Sequence, residues 1–103
     1  MEKAKTIVLD AKDNVATVLD DIARGETIGI NTYENIVELI AIDFIPFAHK
    51  IAVLDIPKGE KVIKYGEAIG RAVRTINRGE HVHVKNVVSI RGRGDIKVME
   101  QGT

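Results

Sequence analysis

The segments Asp21-Ile22-Ala23-Arg24-Gly25-Glu26-Thr27-Ile28, Asp55-Ile56-Pro57-Lys58-Gly59-Glu60-Lys61-Val62 and Thr75-Ile76-Asn77-Arg78-Gly79-Glu80-His81-Val82 share one form. Each reads Ile, any residue, a basic residue, Gly, Glu, any residue, then Ile or Val. The physical reading is a buried Ile, a tight turn whose Gly takes positive φ, and a strand that starts after the Glu. Three such turns between Ile22 and Val82 imply a compact, turn-dense β fold. Their unequal spacing excludes a solenoid.

Outward from these turns the chain reads as short strands. Residues 6–9 are β-branched and apolar, a first strand. Asp13-Asn14 offers a helix N-cap, and Val15, Val18, Leu19 and Ile22 follow at helical spacing, with Arg24-Gly25 as the stop. A short N-terminal helix is therefore expected. Ile28 and Ile30 alternate around Gly29, and 35–45 is rich in Ile and Val until Pro46 ends it. Strands are expected at 50–54, 61–64, 68–74 and 81–88. The expected fold class is mainly β with a short N-terminal helix. Residues 1–90 form a single domain in this reading, and the Gly/Arg-rich segment 91–103 is a C-terminal tail.

Composition limits the function classes. At 103 residues the chain is one domain with one modest core. Aromatics are 4%, so that core must come from Ile, Val, Leu and Ala. Lys+Arg 15 balances Asp+Glu 15, and nothing global argues for nucleic acid or an anionic membrane. The absence of cysteine excludes disulfides, thiolate ligands and Cys nucleophiles, and fits a cytoplasmic protein. No signal peptide and no membrane span is expected.

Histidine and lysine carry the candidate chemistry. On a strand, His81, His83 and Lys85 would share one face, with Val82 and Val84 on the other. Two imidazoles so placed bind one metal, grip one anion, or lie on a solvated face. His49-Lys50 follows a proline-bounded turn, either at the mouth of a site or satisfying a turn carbonyl. Lys64 and Tyr65 either bind a carboxylate or hydroxyl or form an ordinary hairpin turn. Arg91 and Arg93 either hold an anion or belong to the tail. No complete acid–base or nucleophilic constellation is present, so the chain reads as a contributor to a site.

Several stretches together resemble a known family. They are Pro46-Phe47-Ala48-His49-Lys50-Ile51-Ala52, Asp55-Ile56-Pro57-Lys58-Gly59-Glu60, Val62-Ile63-Lys64-Tyr65-Gly66-Glu67-Ala68-Ile69-Gly70, Gly79-Glu80-His81-Val82-His83-Val84 and Arg91-Gly92-Arg93-Gly94-Asp95. In this order the chain resembles the N-terminal SAF domain of the altronate/galactarate dehydratase family. The resemblance implies a β-clip, SAF/antifreeze-like fold. It implies the small subunit of a sugar-acid hydro-lyase, inactive without a large catalytic partner, with a divalent metal, Fe(2+), shared between them. The alternatives are a sulfolactate sulfo-lyase small subunit and a non-catalytic anion- or sugar-acid-binding SAF module. Implied roles are catalytic and metal-binding for His81 and His83, and substrate-binding for His49, Lys50, Lys64, Tyr65 and Lys85. Self-association into a homo-oligomer is also open.

Two departures matter. Ala48 stands where the family usually has Gly. Lys85 stands where a third His is usual, and an ammonium has no lone pair for a metal. This leaves two histidines, completed by His49 or by the partner, or an anion-binding face.

Overall fold

A computed structural model describes residues 6, 10–31, 36–83 and 85–89. Within them the strands are Val15–Thr17 (β1), Thr27–Asn31 (β2), Ile36–Ile40 (β3), Lys50–Ala52 (β4), Lys61–Lys64 (β5), Glu67–Ala72 (β6), His81–Val82 (β7) and Val87–Ser89 (β8). They form three small antiparallel sheets, β1-β4-β7, β2-β3 and β5-β6-β8. No described residue is helical, and no helix is long and apolar enough to cross a membrane.

The repeated turn organises everything else, and it occurs four times. The fourth copy is Phe44-Ile45-Pro46-Phe47-Ala48-His49-Lys50-Ile51, with Ala for the Gly and His for the Glu. Each copy extends back four residues before its Ile, giving units 18–28, 41–51, 52–62 and 72–82. The first, fifth and last positions of every unit are at most 5% exposed. In the first two units these are Val18, Ile22, Ile28, Ala41, Ile45 and Ile51, which belong to one hydrophobic cluster. In the last two they are Ala52, Ile56, Val62, Ala72, Ile76 and Val82, which belong to a second.

Units pair through reciprocal backbone hydrogen bonds. Ile22 and Ile45 exchange N–H···O bonds of 2.8 and 2.9 Å, and Ile56 and Ile76 do so at 2.7 and 2.8 Å. In the first pair the N–H of Gly25 donates to Ala41 (2.7 Å) and that of Ala41 to Glu26 (2.9 Å); Ala48 donates to Val18 (3.0 Å) and Val18 to His49 (2.9 Å). In the second pair Gly59 donates to Ala72 (2.8 Å) and Ala72 to Glu60 (2.9 Å); Gly79 donates to Ala52 (2.7 Å) and Ala52 to Glu80 (3.0 Å). Carboxylates tie partner turns: Asp21 accepts the N–H of Phe47, and Asp55 that of Arg78, both at 2.8 Å.

The expected helix at 13–22 is absent. Val15 lies in the second cluster, whereas Ala16 and Val18 lie in the first. A strand buried on both sides loses its alternation, and here its apolar spacing mimics a helix. Leu19, assigned to the helix face, is 48% exposed. Asp13 and Asn14 are not a cap. The Asp13 carboxylate accepts the N–H groups of Asp10 (3.2 Å), Tyr65 (2.8 Å) and Gly66 (2.7 Å). Asn14 accepts from Ile63 (2.7 Å) and donates to Lys61 (2.9 Å), fastening β1 to the β5–β6 hairpin.

Other expectations shift as well. Of the strand expected at 6–9, Thr6 is described; it bridges to Val18 and its hydroxyl accepts the Asn31 N–H at 3.0 Å. The strand expected at 81–88 breaks into β7 and β8 around a turn in which the Asn86 N–H meets the His83 carbonyl (3.0 Å). The tail 91–103, with Arg91 and Arg93, lies outside the described residues, as does Val84.

Two turn glycines differ in what surrounds them. Gly59 has φ +88° and open space where a Cβ would stand. Gly79 has φ +92°, and a Cβ there would lie 2.4 Å from the Ile40 carbonyl oxygen. Gly59→Ala is expected to cost about 1 kcal/mol for the left-handed backbone alone. Gly79→Ala is expected to cost about 3 kcal/mol, because the backbone must also move. Urea denaturation midpoints compare the two; equal losses would contradict this packing.

Candidate functional site

The second unit departs from the other three where the site residues are. In the first and fourth units the Glu carboxylate accepts a turn N–H: Glu26 from Ala23 (2.9 Å) and Glu80 from Asn77 (2.8 Å). The second and third units carry Pro46 and Pro57 at that place, with no N–H to satisfy. The side chain of the ninth residue of the second unit, His49, thereby has no turn N–H to accept. Its neighbour Ala48 takes φ 72°, a conformation costing a residue with a Cβ about 1–2 kcal/mol. This gives a physical reason for a glycine at that place.

Strand pairing then brings the histidines together. β4 lies between β1 and β7, with Lys50 opposite Val82 and Ile51 opposite His81. His49 Nδ1 lies 2.9 Å from His81 Nε2, and their ring centroids are 5.0 Å apart. The His81 and His83 rings are 4.6 Å apart. His81 and His83 are half-buried and His49 is exposed.

Two residues not singled out in the sequence hold this cluster. Asn86, fully buried, accepts the His83 N–H through Oδ1 (2.9 Å) and donates through Nδ2 to the His81 carbonyl (2.8 Å). The Asp43 carboxylate accepts the His81 N–H at 3.0 Å. In the sequence Asp43 only interrupts an apolar run, and Asn86 falls within the strand expected at 81–88. Alignment of the fourth repeat copy is the signal that would have drawn attention to 43–51.

Lys85 does not share a strand face with His81 and His83, because the strand has ended at Val82. It is an exposed turn residue, and what reaches His83 is its backbone N–H, donated to Nδ1 at 3.1 Å. Lys64 ends β5, and Tyr65 is the first residue of the β5–β6 hairpin turn. Tyr65 (φ 55°) and Gly66 (φ 78°) form its two left-handed central positions. The Lys64 amine sits 4.9 Å from the Tyr65 ring centroid.

Burial and neighbouring positive charge lower the proton affinity of three basic groups in this region. Burial lowers the proton affinity of Lys50, and the Lys64 charge lowers it further. His81 is lowered by burial, then by His83, His49 and Lys50, against an opposing pull from Asp43. His83 is lowered by burial, then by Arg74 and Lys85, against Asp43 and Glu80. Arg74 is itself paired with Glu80 at 2.7 Å. Lys50 and His83 line a cleft of about 170 Å³ whose apolar walls are Val62, Ile69, Val82 and Val87.

The fit to a metal is partial. Among the described residues no group of three or more His, Cys, Asp or Glu side chains can hold an ion. Two nitrogen ligands at about 2.1 Å and at right angles to each other are about 3 Å apart. The His49 Nδ1 and His81 Nε2 pair matches that spacing, and it equally matches one shared hydrogen. His81 thus has a nitrogen contact with His49 and a ring contact with His83.

These features define a small β domain that brings His49, His81 and His83 together and sets Lys50 and His83 along one cleft. The chain belongs to the altronate/galactarate dehydratase SAF domain family, whose model matches residues 4–90. It is similar to the (2R)-sulfolactate sulfo-lyase subunit alpha of Chromohalobacter salexigens, 38% identical over 84 residues, covering 79% of this chain and 89% of that subunit. It is also similar to the altronate dehydratase of Escherichia coli, 41% identical over 80 residues, and to the galactarate dehydratase (L-threo-forming) of the same organism, 43% identical over 76 residues. These matches cover 78% and 74% of this chain but 15% and 14% of the two dehydratases.

Two predictions follow from the geometry of the cluster. Asn86→Ala leaves the His83 N–H and the His81 carbonyl buried without partners, and is expected to destabilise the fold by about 2–3 kcal/mol in urea. An unchanged midpoint would show that neither bond matters. In a proton NMR titration, the C2 protons of His81 and His83 are expected to titrate below about 6.5, the ordinary imidazole value. The folded state then binds these protons less readily than the unfolded chain. The associated stability is present above that pH and is lost as pH falls from there through the folded midpoints.

Proposed function

We propose that this chain is the SAF component of a sugar-acid lyase and supplies one wall of an active site completed by a larger catalytic partner. The observation that carries the reading is the convergence of His49, His81 and His83 with Lys50. Removing water next to a carboxylate requires a base for the α-proton, stabilisation of the enediolate, and an acid or Lewis acid at the departing hydroxyl. In this reading the Lys50 amine, with Lys64 nearby, binds the substrate carboxylate. His81 faces the reacting end, and His83 shares the cleft with Lys50. The α-proton is taken by a group on the partner.

A divalent ion, Fe(2+) in the expectation from the family, would supply Lewis-acid stabilisation of the leaving oxygen. His49 and His81 would hold it from this chain, with further ligands from the partner. Phe44 and Phe47, 54% and 63% exposed, adjoin Asp43 and His49 and suit a docking edge beside the site. The fold is read as a β-clip, and the setting as the cytoplasm.

A second reading has its own support. The chain spans 89% of a sulfo-lyase alpha subunit, whereas it spans a small part of each dehydratase. Release of sulfite from sulfolactate also removes a leaving group beside a carboxylate, and would use the same Lys50 and imidazole groups.

The decisive measurement is turnover by the chain reconstituted with a large dehydratase-type subunit, assayed on altronate, galactarate and sulfolactate in parallel. Neither polypeptide alone is expected to turn over, and the preferred acid separates the two readings. In the complex, His81→Ala is expected to lower kcat by roughly 10²-fold or more, and Lys50→Met to act mainly on KM. Wild-type turnover and metal content in the His81→Ala complex would sink the proposal.

A further inference from the structure

The two nitrogens of His83 are not equivalent. Nδ1 receives the backbone N–H of Lys85 at 3.1 Å, so Nδ1 must offer its lone pair. A neutral imidazole has one bare nitrogen and one N–H, and the hydrogen bond at one nitrogen sets the state of the other. Nε2 of neutral His83 therefore carries the hydrogen. The donor cannot easily turn away. The Lys85 N–H belongs to the turn closed by the Asn86 N–H on the His83 carbonyl (3.0 Å), and the buried Asn86 side chain fixes both His83 and His81.

A ring in this state is a poor ligand to a metal and a good donor to an anion. Ligation through Nε2 would require the hydrogen to move to Nδ1, where it would meet the Lys85 N–H head-on. Ligation through Nδ1 would require that hydrogen bond to break. As a donor, by contrast, the ring needs no rearrangement. It lines the same cleft as the half-buried Lys50, between the apolar walls of Val62, Ile69, Val82 and Val87. An ammonium and an imidazole N–H in a partly desolvated cleft form a matched pair for two oxygens of one carboxylate.

We infer that His83 is a tautomer-locked hydrogen-bond donor which, with Lys50, binds the carboxylate of a 2-hydroxy acid, and that it is excluded from the ligand set of any metal. The inference rests on the acid-lyase reading for the class of ligand and on the Lys85–His83 contact for the tautomer. It divides the three imidazoles: His49 and His81 share a hydrogen or an ion, and His83 addresses the organic acid. The Lys85 side chain has no part in this; any residue with a backbone N–H at that position keeps the lock, whereas a proline would release it.

The test uses the whole chain labelled with ¹⁵N-histidine, at a pH where the rings are neutral. Long-range ¹H–¹⁵N correlation is expected to show His83 with a bare Nδ1 and a protonated Nε2, unchanged when Zn²⁺ is added. The probe for the acid is glycolate, the smallest 2-hydroxy acid. It is expected to shift the His83 Nε2 resonance, with at least 10-fold weaker binding in Lys50→Met and in His83→Ala. His83→Gln, which keeps an N–H donor near the Nε2 position, is expected to restore most of the binding. A ring protonated at Nδ1, or loss of the Nε2 hydrogen on adding Zn²⁺, overturns the inference. A correctly locked ring with no response to glycolate overturns instead the acid-binding reading on which the choice of ligand rests.

Discussion

The reciprocal hydrogen bonding of paired Ile turns is the constraint on which the rest of this structure depends. A turn buried at the centre of a small domain leaves its N–H and C=O groups without water, and each must find a partner. Here they find one another, Ile22 with Ile45 and Ile56 with Ile76, and the positions on either side extend the exchange. Each bond contributes only about 1 kcal/mol net, but leaving its groups unpaired would cost more. Burying each Ile adds about 2–3 kcal/mol. The repeat therefore satisfies the backbone and fills the core with the same residues, which is how a chain with 4% aromatics forms two apolar clusters. Phe44 and Phe47 remain at the surface.

The site follows from where the units join. The second and third units abut directly, at Ile51 and Ala52. Ile51 faces the first cluster and Ala52 the second, so β4 bridges the two halves and lies between β1 and β7. His49, which precedes β4, and Lys50, which opens it, are thereby set against β7, which His81 opens from the fourth unit. A turn residue from one half and a strand residue from the other thus meet by symmetry of the repeat, and Asp43 and Asn86 fasten the meeting point through backbone bonds.

Much of this was legible in the sequence. The three Gly-containing turns specified a turn-dense β fold because Gly and Glu at fixed spacing have a mechanical role. His49, Lys50, His81 and His83 stood out by residue type, and the fold does bring them together. The fourth turn was hidden because its three diagnostic residues, basic, Gly and Glu, are replaced by Phe47, Ala48 and His49. The false helix at 13–22 arose because β1 is buried by two clusters at once, leaving an apolar spacing that periodicity alone cannot assign. The face shared by His81, His83 and Lys85 failed for another reason. The chain turns at 83–86 without Gly or Pro, and the stabilising agent is a buried Asn side chain whose partners, at His81 and His83, become evident only once the turn is formed.

The departures in the second unit have a common sense. Ala48 holds a left-handed backbone at a place where glycine would be at ease, and His49 replaces the carboxylate that secures the turn in the first and fourth units. Both changes weaken the turn locally. Pro46 offsets part of this, because it removes the N–H that the carboxylate would have bound and restricts the unfolded chain. The remaining units keep the rule at the Gly and Glu positions, and their turns carry the stability of the domain. Local consistency is thus preserved in three units and broken in the one that delivers His49 and Lys50. That distribution places the departures from the repeat's local rules in the unit that meets His81.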